Sequence, residues 1–236
     1  MNTGNQPIIE AAPLSVEAIV FDVGGTLIEP CPSVGHIYAD VASGCGHSDL
    51  DPTRLNDQFA EAWRAKGDFQ YNENDWERLV IRTFEGLVSE ADCRIMFPKL
   101  YQRFEDPGVW KVHADVLPTL DDLAGRGFRL GIVSNWDTRL RPLLDNLRLE
   151  GFFELISVSC DIGFTKPSPV IFEHTISKFG LPPDRILHVG DVYEEDVMGA
   201  QTAGLQALHI DRTCSGEKGK LCQLTDLIPL VKEAWI

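Results

Sequence analysis

The sequence predicts an α/β protein: a Rossmann-like parallel sheet with helices on both faces, and an α-helical cap inserted near its start. Three observations carry this expectation. Ala18-Ile19-Val20-Phe21 is a short, continuously apolar, β-rich run, as in a strand covered on both faces. From about Pro30 to Asp106 strand signals vanish and helical periodicity takes over. After Asp106-Pro107-Gly108, strand and helix patterns alternate nearly to the end, the rhythm of βαβ units with right-handed crossovers.

The elements follow in order. The first strand ends at Asp22 and a Gly24-Gly25 turn. In the cap, Leu55, Phe59 and Trp63 fall at helical spacing, as do Trp76, Leu79, Val80 and Phe84. Asp51-Pro52 and Asn74 read as helix starts. The expectation is a bundle of about four helices over 30–106, with 1–29 and 107–236 forming the core. In the core, a helix over about Leu117–Ala124 stops at Gly125-Arg126-Gly127, and the strand Phe128–Val133 follows. Next come a helix near Leu140–Leu147, a strand at Leu155–Val158, a helix near Val170–Phe179 and a strand at Ile186–Val189. A helix near Val197–Ala203, a strand at Leu205–Ile210 and a last helix over Leu224–Ala234 complete the core. Ser215–Gly219 reads as a solvated loop.

Length and charge bound the function. The chain has 236 residues and a formal net charge of −15. That acidity disfavours nucleic acid and anionic membrane surfaces as partners. An anionic substrate would therefore need local positive charge from a metal, a lysine or backbone N–H groups. Met1–Pro13 lacks the basic start and apolar stretch of a signal peptide, and no apolar run approaches the ~20 residues of a membrane span. A cytoplasmic protein, monomer or homodimer, is expected. The six cysteines form no CxxC pair and read as free thiols in a reducing compartment.

In an open parallel sheet, ligands bind outside the carboxyl ends of the strands. The first strand delivers Asp22 there, the second Ser134 and Asn135, the third Lys166 within Thr165-Lys166-Pro167, and the fourth Gly190-Asp191 with Asp196 beyond. Asp22 and Asp191 would repel each other without a cation between them. Hard oxygen donors of this kind suit Mg²⁺ with a substrate phosphate. A carboxylate can attack phosphorus to give an aspartyl-phosphate, while Ser134 and Lys166 hold the non-bridging oxygens.

Four segments resemble the motifs of the haloacid-dehalogenase-like (HAD) superfamily, in that family's order. They are Phe21-Asp22-Val23-Gly24-Gly25-Thr26-Leu27, Val133-Ser134-Asn135, Lys166-Pro167-Ser168-Pro169, and Val189-Gly190-Asp191 through Asp196. The helical insert resembles the type-one cap of subfamily I. Ser134-Asn135-Trp136-Asp137 resembles the branch that includes HAD-domain-containing-protein-3 relatives. The resemblance implies Asp22 as nucleophile and metal ligand, with the Gly24 carbonyl and Asp191 as further ligands. It implies that Thr26 orients the loop and that Ser134 and Lys166 bind phosphate, beside Gly25 and Asn135. Asp196 would reach the metal through water or order Lys166. The implied activity is Mg²⁺-dependent hydrolysis of a small phosphorylated metabolite.

One departure stands out. Most HAD phosphatases carry a second aspartate two residues after the nucleophile, as general acid and base, and here that position is Gly24. General acid–base catalysis typically contributes ~10²–10⁴-fold. The gap keeps open a catalytically weak protein that binds a phosphorylated ligand or a protein partner. Dehalogenation is disfavoured, because Gly190-Asp191 keeps the metal-binding form. Lys66 is the cap lysine considered for a phosphonatase-like Schiff base.

Several residues also have ordinary readings. Asp196 and Asp137 suit helix N-caps. His188, inside an apolar strand, suits a core histidine. His36 suits the surface or the substrate side of the cap, and Trp63 and Trp76 suit the cap's own core over a pocket wall.

Overall fold

The computed structural model describes residues 14–214 and 219–232. Six strands form one parallel sheet: β1 (Ala18–Phe21), β4 (Arg129–Ser134), β5 (Leu155–Val158), β6 (Ile186–Gly190), β7 (Gln206–Ile210) and β8 (Lys220–Leu221), in the order β5-β4-β1-β6-β7-β8. All of β1 is buried, and its side chains alternate between two apolar layers. Ile19 and Phe21 pack with Leu120, Leu123 and Leu143, from α5 (Val116–Gly125) and α6 (Leu140–Asn146). Ala18 and Val20 pack on the other side with Ile171, Phe172 and Ala200, from α8 (Pro169–Phe179), which follows the single turn α7 (Ser159–Ile162), and from α9 (Gly199–Thr202). Burial on both faces explains why the run shows no polar alternation. Truncating a side chain such as Phe21 to alanine would cost ~3–5 kcal/mol.

Strand order fixes where a ligand can sit. The chain runs from β1 to β4 and outward to β5, then returns to β6 on the other side of β1. This reversal places a crevice at the carboxyl end of β1. Phe21 lies opposite Ile132 on one side and Val189 on the other, so the residues that follow these three emerge together.

The insert departs just beyond a small antiparallel pair, β2 (Ile28–Pro30) with β3 (Trp110–Val112), and returns through it. Between them lie α1 (Val34–Ser43), α2 (Pro52–Arg64), α3 (Glu73–Thr83) and α4 (Glu90–Arg103). Each begins at a side-chain cap that satisfies an otherwise unpaired helix N–H: Ser33, Asp51, Asn72 and Ser89. The third start is Asn72 rather than Asn74, because the Asn72 carboxamide oxygen accepts the Asp75 N–H at 3.0 Å. Tyr38, Leu55, Phe84, Met96 and Leu100 form the insert's centre. Phe69, Tyr71 and Leu79 form a second cluster against Trp63 and Trp76.

Two further expectations need correction, and one strand was not foreseen. The last helix is a 3₁₀ segment, Leu224–Leu230, because Pro229 has no N–H to continue an α-helix; Val231 then bridges to Leu14. The tail of the expected α-helix, from 233, lies outside the described residues, as does 215–218 of the expected loop. Beyond that loop the two-residue strand β8 pairs with His209–Ile210, too short to leave a periodic signal. Finally, Cys214 and Cys222 are not free thiols. The turn after β7 and the end of β8 bring their Cα atoms to 5.4 Å, and the two form a disulfide. Cys31, Cys45, Cys93 and Cys160 are free.

Candidate active site

The β1, β4 and β6 exits and the loop before α8 bring Asp22, Ser134, Asp191, Lys166 and Asp196 to one place. Asp22 Oδ1 accepts hydrogen bonds from Ser134 Oγ at 2.8 Å and Lys166 Nζ at 2.8 Å. Lys166 Nζ also donates to Asp196 Oδ1 at 2.5 Å. The ammonium is buried, and burial alone would lower its pKa. Asp196 and Asp22 outweigh burial and raise it, so Lys166 stays charged.

Asn135 anchors that lysine's backbone. Its Oδ1 accepts Lys166 N–H at 2.6 Å, while its Nδ2 donates to the Lys166 carbonyl at 3.0 Å and to Glu195 Oε2 at 2.9 Å. Asp196 belongs to a π-helical segment, Tyr193–Met198, that leads into α9. Its Oδ1 also meets His188 Nε2 at 2.9 Å, and its Oδ2 accepts Val192 N–H at 2.9 Å. Asp196 is therefore no simple helix cap, and the buried His188 is tied to the site through it. Burial pushes the Asp196 carboxyl pKa up, but Lys166 and His188 bring it well below the ordinary range.

One carboxylate oxygen each from Asp22, Asp191 and Asp196 lie within 4.8 Å of one another. The Asp191 carboxyl is pushed up to about 7, first by burial and then by the charges of Asp22 and Asp196. Crowded hard oxygens with a raised pKa fit a divalent cation, which would relieve the repulsion. Asp196 is already engaged through both oxygens. Asp22 Oδ2, by contrast, carries no hydrogen bond among the described residues, and Asp191 Oδ1 accepts the Thr26 hydroxyl at 3.3 Å. Gly25 sits at φ +76°, and a Cβ there would collide with the Asp191 carboxylate. Glycine therefore allows both the turn and the approach.

A cavity of about 380 Å³ opens above Asp22, with Gly24, Gly25, Ser134, Asn135 and Lys166 on its floor. Its walls include Trp63, Trp76 and Tyr71 from the insert, so the two tryptophans serve both as packing and as a pocket wall. Several residues here escaped the sequence reading. Tyr71, in the irregular stretch between α2 and α3, has φ 59° and carries no periodic signal. Its hydroxyl meets Lys66 Nζ at 3.4 Å, and Lys66 lies 3.6 Å above the Trp63 ring and 3.8 Å from Glu195 Oε1. Burial lowers the Lys66 ammonium pKa, against the pull of Glu195, and raises that of Glu195, against Lys66. Lys66 and Glu195 thus join the insert to the core beside the lysine loop. Arg139 makes a second junction: its Nη1 donates to the Tyr101 carbonyl on α4 at 2.8 Å. Asp137, expected as a helix cap, accepts the backbone N–H of Arg139 at 3.0 Å at the start of α6 and also holds the Arg139 guanidinium at 2.8 and 2.5 Å. His36 is exposed and bonded to Ser33.

A family model for haloacid dehalogenase-like hydrolases matches residues 16–204. The chain belongs to this hydrolase family. Haloacid dehalogenase-like hydrolase domain-containing protein 3 of Mus musculus is 32% identical over 206 residues, covering 82% of this chain and 81% of the relative. A glyceraldehyde 3-phosphate phosphatase of Methanothermobacter thermautotrophicus is 35% identical over 99 residues, 39% of this chain and 42% of the relative. Among solved structures, a magnesium-bound HAD hydrolase of Bacillus subtilis superposes with a TM-score of 0.74 at 20% identity, over 92% of this chain and 98% of its own. The parallel sheet with flanking helices is thus shared with the family. Among the described residues, no helix is long and apolar enough to cross a membrane.

Proposed function

We propose that this hydrolase is a Mg²⁺-dependent phosphomonoesterase that works through an aspartyl-phosphate on Asp22. The observation that carries the reading is the convergence of Ser134 Oγ and Lys166 Nζ on one oxygen of Asp22, each at 2.8 Å. A hydroxyl and an ammonium beside a carboxylate nucleophile are the donors that a phosphoryl group's non-bridging oxygens need. The phosphatase named among the relatives supports the same chemistry.

Asp22 attacks phosphorus, the bond to the leaving oxygen breaks with its electron pair, and the phosphoryl group is carried on the aspartyl oxygen. Water then attacks the same phosphorus, releases inorganic phosphate and restores the Asp22 carboxylate. Ser134 and Lys166 hold the phosphoryl oxygens as charge builds. Asn135 fixes the lysine's backbone, and Asp196, steadied by His188, fixes its ammonium. Asp22 and Asp191 would hold Mg²⁺, which, when bound, would neutralise phosphate charge and polarise the phosphoryl group. Asp196, with both oxygens engaged, serves better to order Lys166 than as a direct ligand.

The test is hydrolysis of p-nitrophenyl phosphate and a panel of phosphorylated metabolites with Mg²⁺ and with EDTA, beside Asp22→Asn. Turnover is expected to need Mg²⁺ and to disappear in Asp22→Asn. A folded wild-type protein that binds Mg²⁺ but hydrolyses nothing faster than Asp22→Asn does would favour the phospho-ligand-binding alternative. Cleavage of a haloacid in EDTA would favour a dehalogenase.

A further inference from the structure

Gly24 and Trp136 lie against each other in the wall of the cavity that Asp22 also lines. A Cβ at position 24 would stand 3.2 Å from Trp136 Cζ3, so the indole occupies the direction a side chain there would take. Trp136 packs in turn against Trp110, with ring centroids 5.4 Å apart. The position of the family's usual acid–base aspartate is thus replaced by an aromatic wall. Above it the cavity continues into the insert, between aromatic and aliphatic side chains such as Phe59, Val80, Phe97 and Leu100. Its volume, about 380 Å³, lies within the range of small-molecule sites, well above what a phosphate alone requires.

Most polar groups on these walls already have partners, the buried Trp76 Nε1 being an exception. Arg139 gives Nε and Nη2 to Asp137 and Nη1 to the Tyr101 carbonyl. Trp110 Nε1 donates to the Phe104 carbonyl at 3.1 Å, and the Tyr71 hydroxyl is met by Lys66. The Tyr38 hydroxyl is deeply buried, which raises its pKa. A polyol entering this space would leave water without gaining a matching set of donors and acceptors. The charged floor and apolar roof divide the site into a phosphate end and a leaving-group end.

We infer that the leaving group is a bulky apolar alcohol, aromatic or aliphatic, so that the substrate is an amphiphilic phosphomonoester rather than a sugar or triose phosphate. The inference rests on the phosphatase reading and specifies its substrate class. It departs from the substrate named for the archaeal relative, which aligns over only 39% of this chain. The chemical step is the one given above. The leaving oxygen departs with the electron pair of the P–O bond and takes its proton from water, since position 24 offers none. Aryl phosphates, with their less basic leaving groups, gain a further advantage.

The experiment compares kcat/KM for hexyl, phenyl and glycerol phosphates with Mg²⁺. In parallel, calorimetry measures binding of hexylphosphonate and methylphosphonate, which are not cleaved. Hexyl and glycerol 1-phosphates both release a primary alcohol, so their ratio reports chiefly the polarity of the leaving group. Hexyl phosphate is expected to exceed glycerol phosphate on the order of 100-fold, from the cost of burying unpaired hydroxyls. Phenyl phosphate is expected to be faster still, and hexylphosphonate to bind at least about tenfold tighter than methylphosphonate. Glycerol phosphate cleaved as well as hexyl phosphate would overturn the inference while leaving the phosphatase standing. If nothing is cleaved, tighter binding of hexylphosphonate keeps the apolar pocket and removes the phosphatase, whereas equal binding removes both.

Discussion

Replacing Lys166 with methionine removes one charge from the centre of the site while keeping most of the side chain's volume. The ammonium lies 2.8 Å from Asp22 Oδ1 and 2.5 Å from Asp196 Oδ1, almost wholly shielded from solvent. Removing one partner from a buried ion pair typically costs ~3–5 kcal/mol, because a charge is left without compensation. Here two carboxylates are stranded beside a third, Asp191, so the upper half of that range applies. For a chain of this size 1 kcal/mol corresponds to about 2–4 °C, which puts Lys166→Met about 8–20 °C below wild type in EDTA. The deficit should shrink as pH falls and the stranded carboxylates take up protons. It should also shrink with Mg²⁺, because the crowded carboxylates of Lys166→Met gain more from a cation than those of the wild type do. Thermal denaturation of both proteins, in EDTA and Mg²⁺ at several pH values, measures all of this. A melting temperature within about 2 °C of wild type in EDTA would refute the electrostatic picture of the site.

Two further expectations concern pH and the disulfide. Asp191 has a folded pKa of about 7 against 3.8 for the free group, so the metal-free folded protein holds more protons than the unfolded chain between those values. Its contribution to stability is therefore greatest at low pH and is lost as pH rises towards 7. Melting in EDTA should accordingly fall from pH 5 to 8, and Mg²⁺ should restore most of the loss, since metal and proton compete for the same oxygens. Asp196, whose pKa is lowered, acts only below the ordinary carboxylate range and leaves this window alone. The Cys214–Cys222 bridge spans a sequence separation of eight residues, for which loop-closure entropy gives about 2.5 kcal/mol. Reductant should lower the melting temperature accordingly, and thiol titration of the unreduced, denatured protein should count four thiols. Six thiols would remove the bridge.

The sequence exposed the floor of the candidate site because topology does the gathering. Asp22, Ser134 and Asp191 each lie at or just past a strand's end, and parallel register brings those ends together whatever the loops do. The part of the site above the floor was not legible. Whether Trp136 lies against Gly24, or Lys66 reaches Glu195, depends on how loops and insert sit on the core, and periodicity within one helix carries no information about that. Trp63 and Trp76 illustrate the ambiguity: helical spacing assigns them to an apolar face, but that face both packs within the insert and borders the cavity. The failed last helix has a local cause, Pro229. The disulfide depends on β7 and β8 lying side by side, which cysteine spacing alone does not reveal.

The most direct test of the account is a rapid acid quench during turnover of phenyl phosphate with Mg²⁺, followed by peptide mapping for an acid-stable acyl phosphate reducible by borohydride. The phosphoryl group is expected on the peptide carrying Asp22, and is expected to be absent in EDTA and in Asp22→Asn. Undiminished turnover by Asp22→Asn, or a phosphoryl group on any other residue, would contradict it.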